Sequence, residues 1–268
     1  MSELVELSLA QVHQRLVMIA KAVDSICESH GIPLYMISGT MLGAIRHKGF
    51  IPWDDDMDFA VPFQYYFVLV AALRKELPKM YHCLTYDTSE SCMVPWIKVE
   101  DIETIVNENT LNLPFEKMPG ITIDIFPLVS CQKDKCTKEV KRIQSLFKLN
   151  RFFFMRSTDA RHAWKNSLKK VLKIISPLKS NKLNKKIFQL SLTILNGDDY
   201  IIPMDPHYYN CYFPQKWFEP LTRFIFEDVE FLGITDYHDY LTEVYHNYMQ
   251  LPPLSKQKPH CCHCYLRG

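Results

Sequence analysis

The sequence predicts an α+β chain in which a mixed sheet carries an acidic site and helices flank it. Three observations lead there: apolar residues at helical spacing near the start, two alternating strand patterns that each hold carboxylates among apolar residues, and a switch beyond Cys131 to basic helical sequence.

From Leu4 to His30, the apolar residues Val5, Leu9, Val12, Leu16, Ile19, Val23 and Ile26 recur at spacings of three and four, which predicts a helix that Gly31 stops. Ile32 to Ile37 suits a buried strand. Ser38-Gly39-Thr40 breaks it before a helix-compatible stretch from Met41 to Lys48. After Pro52, residues Asp56 to Val61 alternate, so that Asp56, Asp58 and Ala60 share one face and Met57, Phe59 and Val61 the other. Tyr65 to Leu77 reads as a helix, followed by short strands at Tyr81 to Thr85, Pro95 to Val99 and Thr104 to Asn107. Gly120 precedes a second alternating strand, with Ile121, Ile123 and Ile125 on one face and Thr122, Asp124 and Phe126 on the other.

Beyond Cys131 the period is helical: Val140, Ile143 and Phe147, then Trp164, Leu168, Val171, Leu172 and Ile175, then Leu183, Ile187, Leu190 and Ile194. Past Asn196-Gly197 come aromatics and prolines, a hairpin at Arg223 to Leu232 and a last helix from Tyr237 to Tyr248. The expected organisation is a catalytic core over 1–132, a basic helical subregion over 133–195, and a C-terminal part over 196–268 that completes the same domain.

With 268 residues, 47% of them hydrophobic, the chain can bury a full core. Nine cysteines, an odd number, and a start that reads as an amphipathic helix point to a reducing cytoplasm. No run reaches the roughly 18 apolar residues of a membrane span. The net charge of +1 hides an asymmetry: from Lys133 to Lys186 there are 17 Lys and Arg against 3 Asp and Glu. Such a block is either a surface for anions or a set of solvated helix faces. No nucleic-acid partner is expected.

An ionised carboxylate within an apolar strand needs either water or a cation beside it. Asp56 and Asp58, two apart, can converge on one hard cation, and Asp124 on a neighbouring strand would make a three-carboxylate site for Mg²⁺ or Mn²⁺. The bare acid pair is a weak signal, since paired acids are often a solvated edge. Ser38-Gly39-Thr40 strengthens it by offering backbone N–H groups and hydroxyls to a phosphate at a helix start. Arg46 and Lys48, with Gly49 giving the backbone room, add positive charge, or else form an ordinary exposed helix end.

The block from Ser38-Gly39-Thr40 through Arg46-His47-Lys48-Gly49 to Trp53-Asp54-Asp55-Asp56-Met57-Asp58 resembles the signature of the LicD family, which includes the fukutin-related proteins. The likeness continues at Lys98, Asp101 and Thr104, at Thr122 to Pro127, and at Tyr245 to Pro253 followed by His260; residues 133–195 carry it only loosely. The resemblance implies a nucleotidyltransferase-like mixed sheet in which Ser38-Gly39, Asp56 with Asp58, and Asp124 form the active site. It also implies transfer of a phospho-alcohol, above all phosphocholine, from a CDP-linked donor to a glycan hydroxyl, as in family members that use CDP-choline or CDP-ribitol. Lys98 then suits a donor phosphate, although a snorkelling surface lysine reads the same way. Where the family tends to read Tyr-Gly-Asp-Tyr-Met, this chain has Tyr245-His246-Asn247-Tyr248-Met249. The change puts the local loop geometry in question.

Other features carry less. His260-Cys261-Cys262-His263-Cys264 is too crowded for usual zinc spacing, and Cys131 with Cys136 reads as two loop thiols. Tyr208, Tyr209, Tyr212, Phe213, Trp217 and Phe218 read as core more than as a quaternary-ammonium cage, with Trp53, beside the acids, the exception. His47 and His260 can serve as bases, but a metal-bound acid makes them unnecessary. Two rival functions stay open: a nucleotidyltransferase that releases pyrophosphate from an NTP, and a non-catalytic glycan- or nucleotide-binding protein. The segment 133–186 is expected to dock on an anionic membrane at the cytoplasmic face, through the stripe Trp164 to Ile175 and its flanking Lys165, Lys169, Lys170 and Lys173, where a lipid-linked glycan acceptor would lie.

Overall fold

Ser8 decides where the first helix begins. Its hydroxyl accepts from the Gln11 N–H at 3.4 Å, and the Gln11 side chain accepts from the Ser8 N–H at 2.9 Å, a reciprocal capping box. In the computed structural model, which describes residues 4–88, 94–107, 115–154, 180–205, 208, 211–259 and 263–267, the helix α1 therefore runs Leu9–Ser29. The expected start at Leu4 is corrected: Val5–Glu6 is a strand, β1, paired antiparallel with a strand near the other end of the chain. Gly31, at φ +63°, ends the helix as expected.

β2 (Tyr35–Met36) is shorter than the expected Ile32 to Ile37 and leads straight into α2 (Ser38–Arg46), whose first residue is Ser38 itself. β3 (Asp58–Pro62) starts two residues later than the alternation predicts, because its neighbours pair only from Asp58 onward. Asp56 thus lies in the preceding loop. α3 (Tyr66–Glu76), β4 (Tyr81–Leu84), β5 (Ile97–Asp101) and β6 (Thr104–Val106) follow close to their expected places.

β7 (Ile121–Cys131) is about twice the length that alternation marks. Alternation stops at Phe126 because Phe126, Pro127, Leu128 and Val129 are all buried. Pro127 is tolerated since β5 pairs only as far as Ile125 and the next strand on that side begins at Val129.

The remaining elements are α4 (Lys133–Phe154), α5 (Ser180–Leu192), β8 (Asp199–Ile201), β9 (Phe213–Pro214), the hairpin β10 (Thr222–Phe226) with β11 (Val229–Gly233), α6 (Tyr237–Tyr245) and β12 (Cys264–Leu266). The helix expected around Trp164 to Ile175, with its flanking lysines, lies outside the described residues, as do Tyr209 and His260 to Cys262. Cys131 ends β7 and Cys136 sits in the first turn of α4, both buried, so neither is a loop thiol.

The central sheet is mixed, in the order β2-β3-β7-β5-β4, with β3 and β7 parallel and their other neighbours antiparallel. β8 extends it beside the far half of β7 and pairs with β9. A second sheet, β1-β12-β6, joins the two ends of the chain to its middle. α1 lies over β7 and β5, and the β10–β11 hairpin rests on β2 and α2. The core between them is apolar, with Leu16, Ile19, Phe59, Ile123 and Ile125 fully excluded from solvent. α4 and α5 pack together, tied by a buried hydrogen bond from Asn150 Nδ2 to Asn184 Oδ1 at 3.0 Å. Among the described residues no helix is long and apolar enough to cross a membrane.

Candidate active site

Strand register brings three charged residues into one row. Lys98 on β5 is the Cα partner of Asp124 on β7, which is the Cα partner of Asp58 on β3. Side chains directly opposite one another across a sheet share a face. Lys98 Nζ donates to Asp124 Oδ1 at 2.6 Å, and both side chains keep partial exposure, 25% and 20%. The row lies where the buried face of the sheet opens: Ala60, next on the Asp58 face, is completely covered.

The loop before β3 adds more acid. Burial pushes the Asp58 carboxyl well above the usual carboxylate range, and the charges of Asp56, Asp124, Asp205 and Asp54 push it further. Asp124 is also raised, by burial first, while Lys98 draws it back; Asp56 adds to the rise. Four other carboxylates therefore act on Asp58. Asp205 is a buried residue just beyond β8 that no periodic pattern marks, and Asp54 stands in the signature block without an assigned role. Their meeting depends on how β8 returns beside β7, which local sequence does not encode.

An all-oxygen carboxylate set of this kind suits a hard divalent cation. In the chain as it stands, no three His, Cys, Asp or Glu side chains among the described residues already hold a ligating arrangement. Asp124 is turned to Lys98 instead. The donor chemistry fits Mg²⁺ or Mn²⁺ at Asp56, Asp58 and Asp124, and the raised carboxyls of Asp58 and Asp124, buried among other acids, are what a bound cation would relieve.

The turn at the start of α2 is built around its neighbours. Ser38 takes φ +50°, rare for a residue with a side chain. Its N–H donates to Tyr240 Oη at 3.0 Å, its hydroxyl shares a 2.5 Å hydrogen bond with Tyr208 Oη, and the two phenols are 3.0 Å apart. Thr40 Oγ1 accepts from the Asp58 N–H at 2.8 Å, fixing the start of β3. Both hydroxyls of the turn are thus engaged within the protein. Gly39 is needed for close approach: a Cβ there would stand 2.7 Å from Asp54 Oδ2. The acid loop and the helix start meet at this glycine.

Arg46 and Lys48 diverge. Arg46 donates to the Tyr248 carbonyl at 2.8 Å and to His47 Nε2 at 2.9 Å, and the Asp54 and Tyr245 side chains partly offset the burial that lowers its pKa. Lys48, at φ +62°, forms the turn into Gly49. Gly49 gives room to Glu227, whose Oε1 would lie 2.1 Å from a Cβ and accepts from the Phe50 N–H at 3.0 Å. Phe50 stacks on His13 with ring centroids 3.8 Å apart, and His13 Nε2 donates to the Asp54 carbonyl at 2.6 Å. Glu227, Phe50 and His13 therefore hold the acid loop from outside. Trp53 is partly buried against the core beside that loop.

The C-terminal part supplies a wall. Tyr245 is 37% exposed overall, yet burial of its hydroxyl end, then Tyr240, Asp58, Asp54 and Asp56, raise its pKa well above normal. The next residue, His246, sits at φ +58°, in the conformation that favours glycine. Of the aromatics weighed as a cage, Tyr208, Phe213 and Phe218 are buried, and Tyr212 and Trp217 pack against the core.

Residues 31–143 match the family model described as LicD/FKTN/FKRP, nucleotidyltransferase domain. The chain is 29% identical over 249 residues to the lipopolysaccharide cholinephosphotransferase LicD of Haemophilus influenzae, an alignment covering 88% of this chain and 89% of that protein. It is 42% identical over 41 residues to an uncharacterized protein of Rickettsia prowazekii, covering 15% of each. A similar protein of Rickettsia typhi matches at 42% over 41 residues, 15% of this chain and 13% of its own length.

Proposed function

We propose that this chain, which belongs to the LicD family through residues 31–143, is a LicD-like phosphotransferase that moves phosphocholine from a CDP-linked donor onto a hydroxyl of a cell-surface glycan or its lipid-linked precursor. The observation that carries the reading is the row Lys98, Asp124, Asp58 with Asp54, Asp56 and Asp205 gathered about it. Such an array has no use in a merely structural sheet, where each buried carboxylate would only weaken the fold. The fold we assign is nucleotidyltransferase-type, supported by the parallel β3–β7 pair that brings two acids side by side.

Asp56, Asp58 and Asp124 would hold Mg²⁺ or Mn²⁺, which when bound neutralises phosphate charge and polarises a phosphoryl oxygen. The first turn of α2, packed at Gly39 against the Asp54 carboxylate, is the seat proposed for the donor phosphates, with Ser38 and Thr40 fixing the backbone. Lys98, already paired with Asp124, turns to a phosphate oxygen, and Arg46, on which the Asp54 charge acts, sets the positive rim. Trp53 flanks the choline end by cation–π contact. The acceptor oxygen then forms a bond to the distal phosphorus, the bridging P–O bond breaks, and CMP leaves with the bridging oxygen. The acceptor proton passes to Asp124.

The test is incubation with a panel of CDP-alcohols and a divalent cation, with and without glycan acceptors. Acceptor-dependent CMP release with choline transfer is the expected result. Pyrophosphate release from an NTP would make the chain a nucleotidyltransferase, and binding without turnover would remove it from the enzymes.

A further inference from the structure

We propose that the outer face of the α4–α5 pair is a docking surface for an anionic lipid bilayer. α4 turns Cys136, Val140, Ile143, Phe147 and Asn150 inward, at the three-and-four spacing of one helical stripe. The opposite stripe is exposed and basic. Lys135, Lys138, Lys141 and Arg142 of α4 join Lys186 of α5 around an open groove of about 760 Å³ that also takes in Leu149, with Asp134 its one acidic wall residue.

Exposed apolar side chains are interspersed with the cations of this face. Leu149 is 36% exposed and Phe152 41%, and Leu192 on α5 is 51% exposed. From Lys135 to Phe152 the helix is about 25 Å long, with exposed cations along its whole length, Lys148 and Arg151 included, and apolar side chains set among them. That mixture is what a lipid interface accepts, since headgroup phosphates take the cations and the acyl boundary takes the leucines and phenylalanine. A soluble polyanion would pair the cations and leave Leu149, Phe152 and Leu192 in water. Charge complementarity together with these apolar side chains therefore selects the bilayer. The inference does not depend on the reaction proposed above.

Sedimentation of the full chain with vesicles tests it, comparing neutral phosphatidylcholine with vesicles that also contain phosphatidylglycerol, at low and high salt. Binding is expected only to the anionic vesicles and should weaken with salt. Each cation near an anionic surface adds about 1 kcal/mol, so the variant Lys138→Gln/Lys141→Gln/Arg142→Gln should partition on the order of 100-fold less. Lys138→Arg with Lys141→Arg should bind like the parent, and Lys75→Gln with Lys79→Gln, exposed cations elsewhere, should too. Leu149→Ser with Phe152→Ser should lose whatever binding survives high salt. Equal binding to neutral vesicles, no binding at low salt, or an unaltered triple variant with a native melting curve would overturn the proposal. Tighter binding to heparin than to vesicles, insensitive to Leu149→Ser and Phe152→Ser, would reassign the face to a soluble polyanion.

Discussion

Across β5, β7 and β3, charged side chains leave neighbouring strands toward one point, whereas along α4 they leave one helix in diverging directions. In the sheet, Asp58 feels four other carboxylates and its pKa climbs; on the helices, lysines and Arg142 line one open groove at the surface. A stretch of sequence shows both as charges punctuating an apolar period. What separates them is strand register, a tertiary property: crowding like charges makes a place that calls for a counter-ion, and spreading them makes a surface that calls for a large flat partner.

The largest effect should come from removing a converging charge. Asp58→Asn or Asp124→Asn should lower turnover by roughly 1000-fold or more while the protein stays folded. Lys185→Gln, on the diverging side, should stay within about twofold. In thermal melts, Mg²⁺ should stabilise the parent by mass action and leave Asp58→Asn unmoved. A fully active Asp58→Asn would erase the distinction between the two regions.

Next comes the junction between acid loop and helix start. Gly39→Val would drive side-chain atoms into the Asp54 carboxylate, 2.7 Å from even a Cβ. Donor affinity by calorimetry should fall by about tenfold or more, with acceptor affinity little changed. Unchanged donor affinity would take this turn out of the site.

Asp24 sharpens the contrast as a buried acid without convergence. It lies beneath Arg223, which donates at 2.6 Å, yet burial outweighs that partner and, with Glu28 adding to it, holds the carboxyl at about 6. The folded chain keeps this proton between pH about 4 and 6, where the unfolded chain has already lost it. Stability therefore falls as pH rises through that window, by on the order of 2 kcal/mol, and is lowest from this group above the folded pKa. Urea midpoints at pH values either side of the window should show the fall in the parent and not in Asp24→Asn.

The smallest change is expected at His246. Its φ of +58° lies in the region that favours glycine, so His246→Gly should raise stability by about 1 kcal/mol through relief of strain. A lower urea midpoint would mean that the imidazole supports the wall beside Tyr245.

Much of this was readable in advance where structure is local. The stripe from Val12 to Ile26 and the alternation from Ile121 to Ile125 follow from spacing, and the hairpin expected at Arg223 to Leu232 is present, turning at Glu227–Asp228. The Ser8–Gln11 capping box is a local signal for a helix that starts at Leu9. Asp58 and Asp124 stood out as acids in apolar strands, but their side-by-side register, the arrival of Lys98 and Asp205, and the phenols under Ser38 arise from pairings between distant segments. No periodicity announces β12 either, since its three residues are fixed only by β1 and β6.

That strand has a consequence during synthesis. Cys264–Leu266 pairs with β6 on one side and with β1 on the other, so its two neighbours are made long before it exists. At about 5–20 residues per second, Val5 waits on the order of tens of seconds for Leu266. Through that interval the edges of β1 and β6 have no partner strand, and open edges are where nascent chains meet one another. A ribosome that stops before Cys264 would release a polypeptide with its carboxylate row already encoded but two sticky borders left open, a species that chaperones rather than catalysis would encounter first.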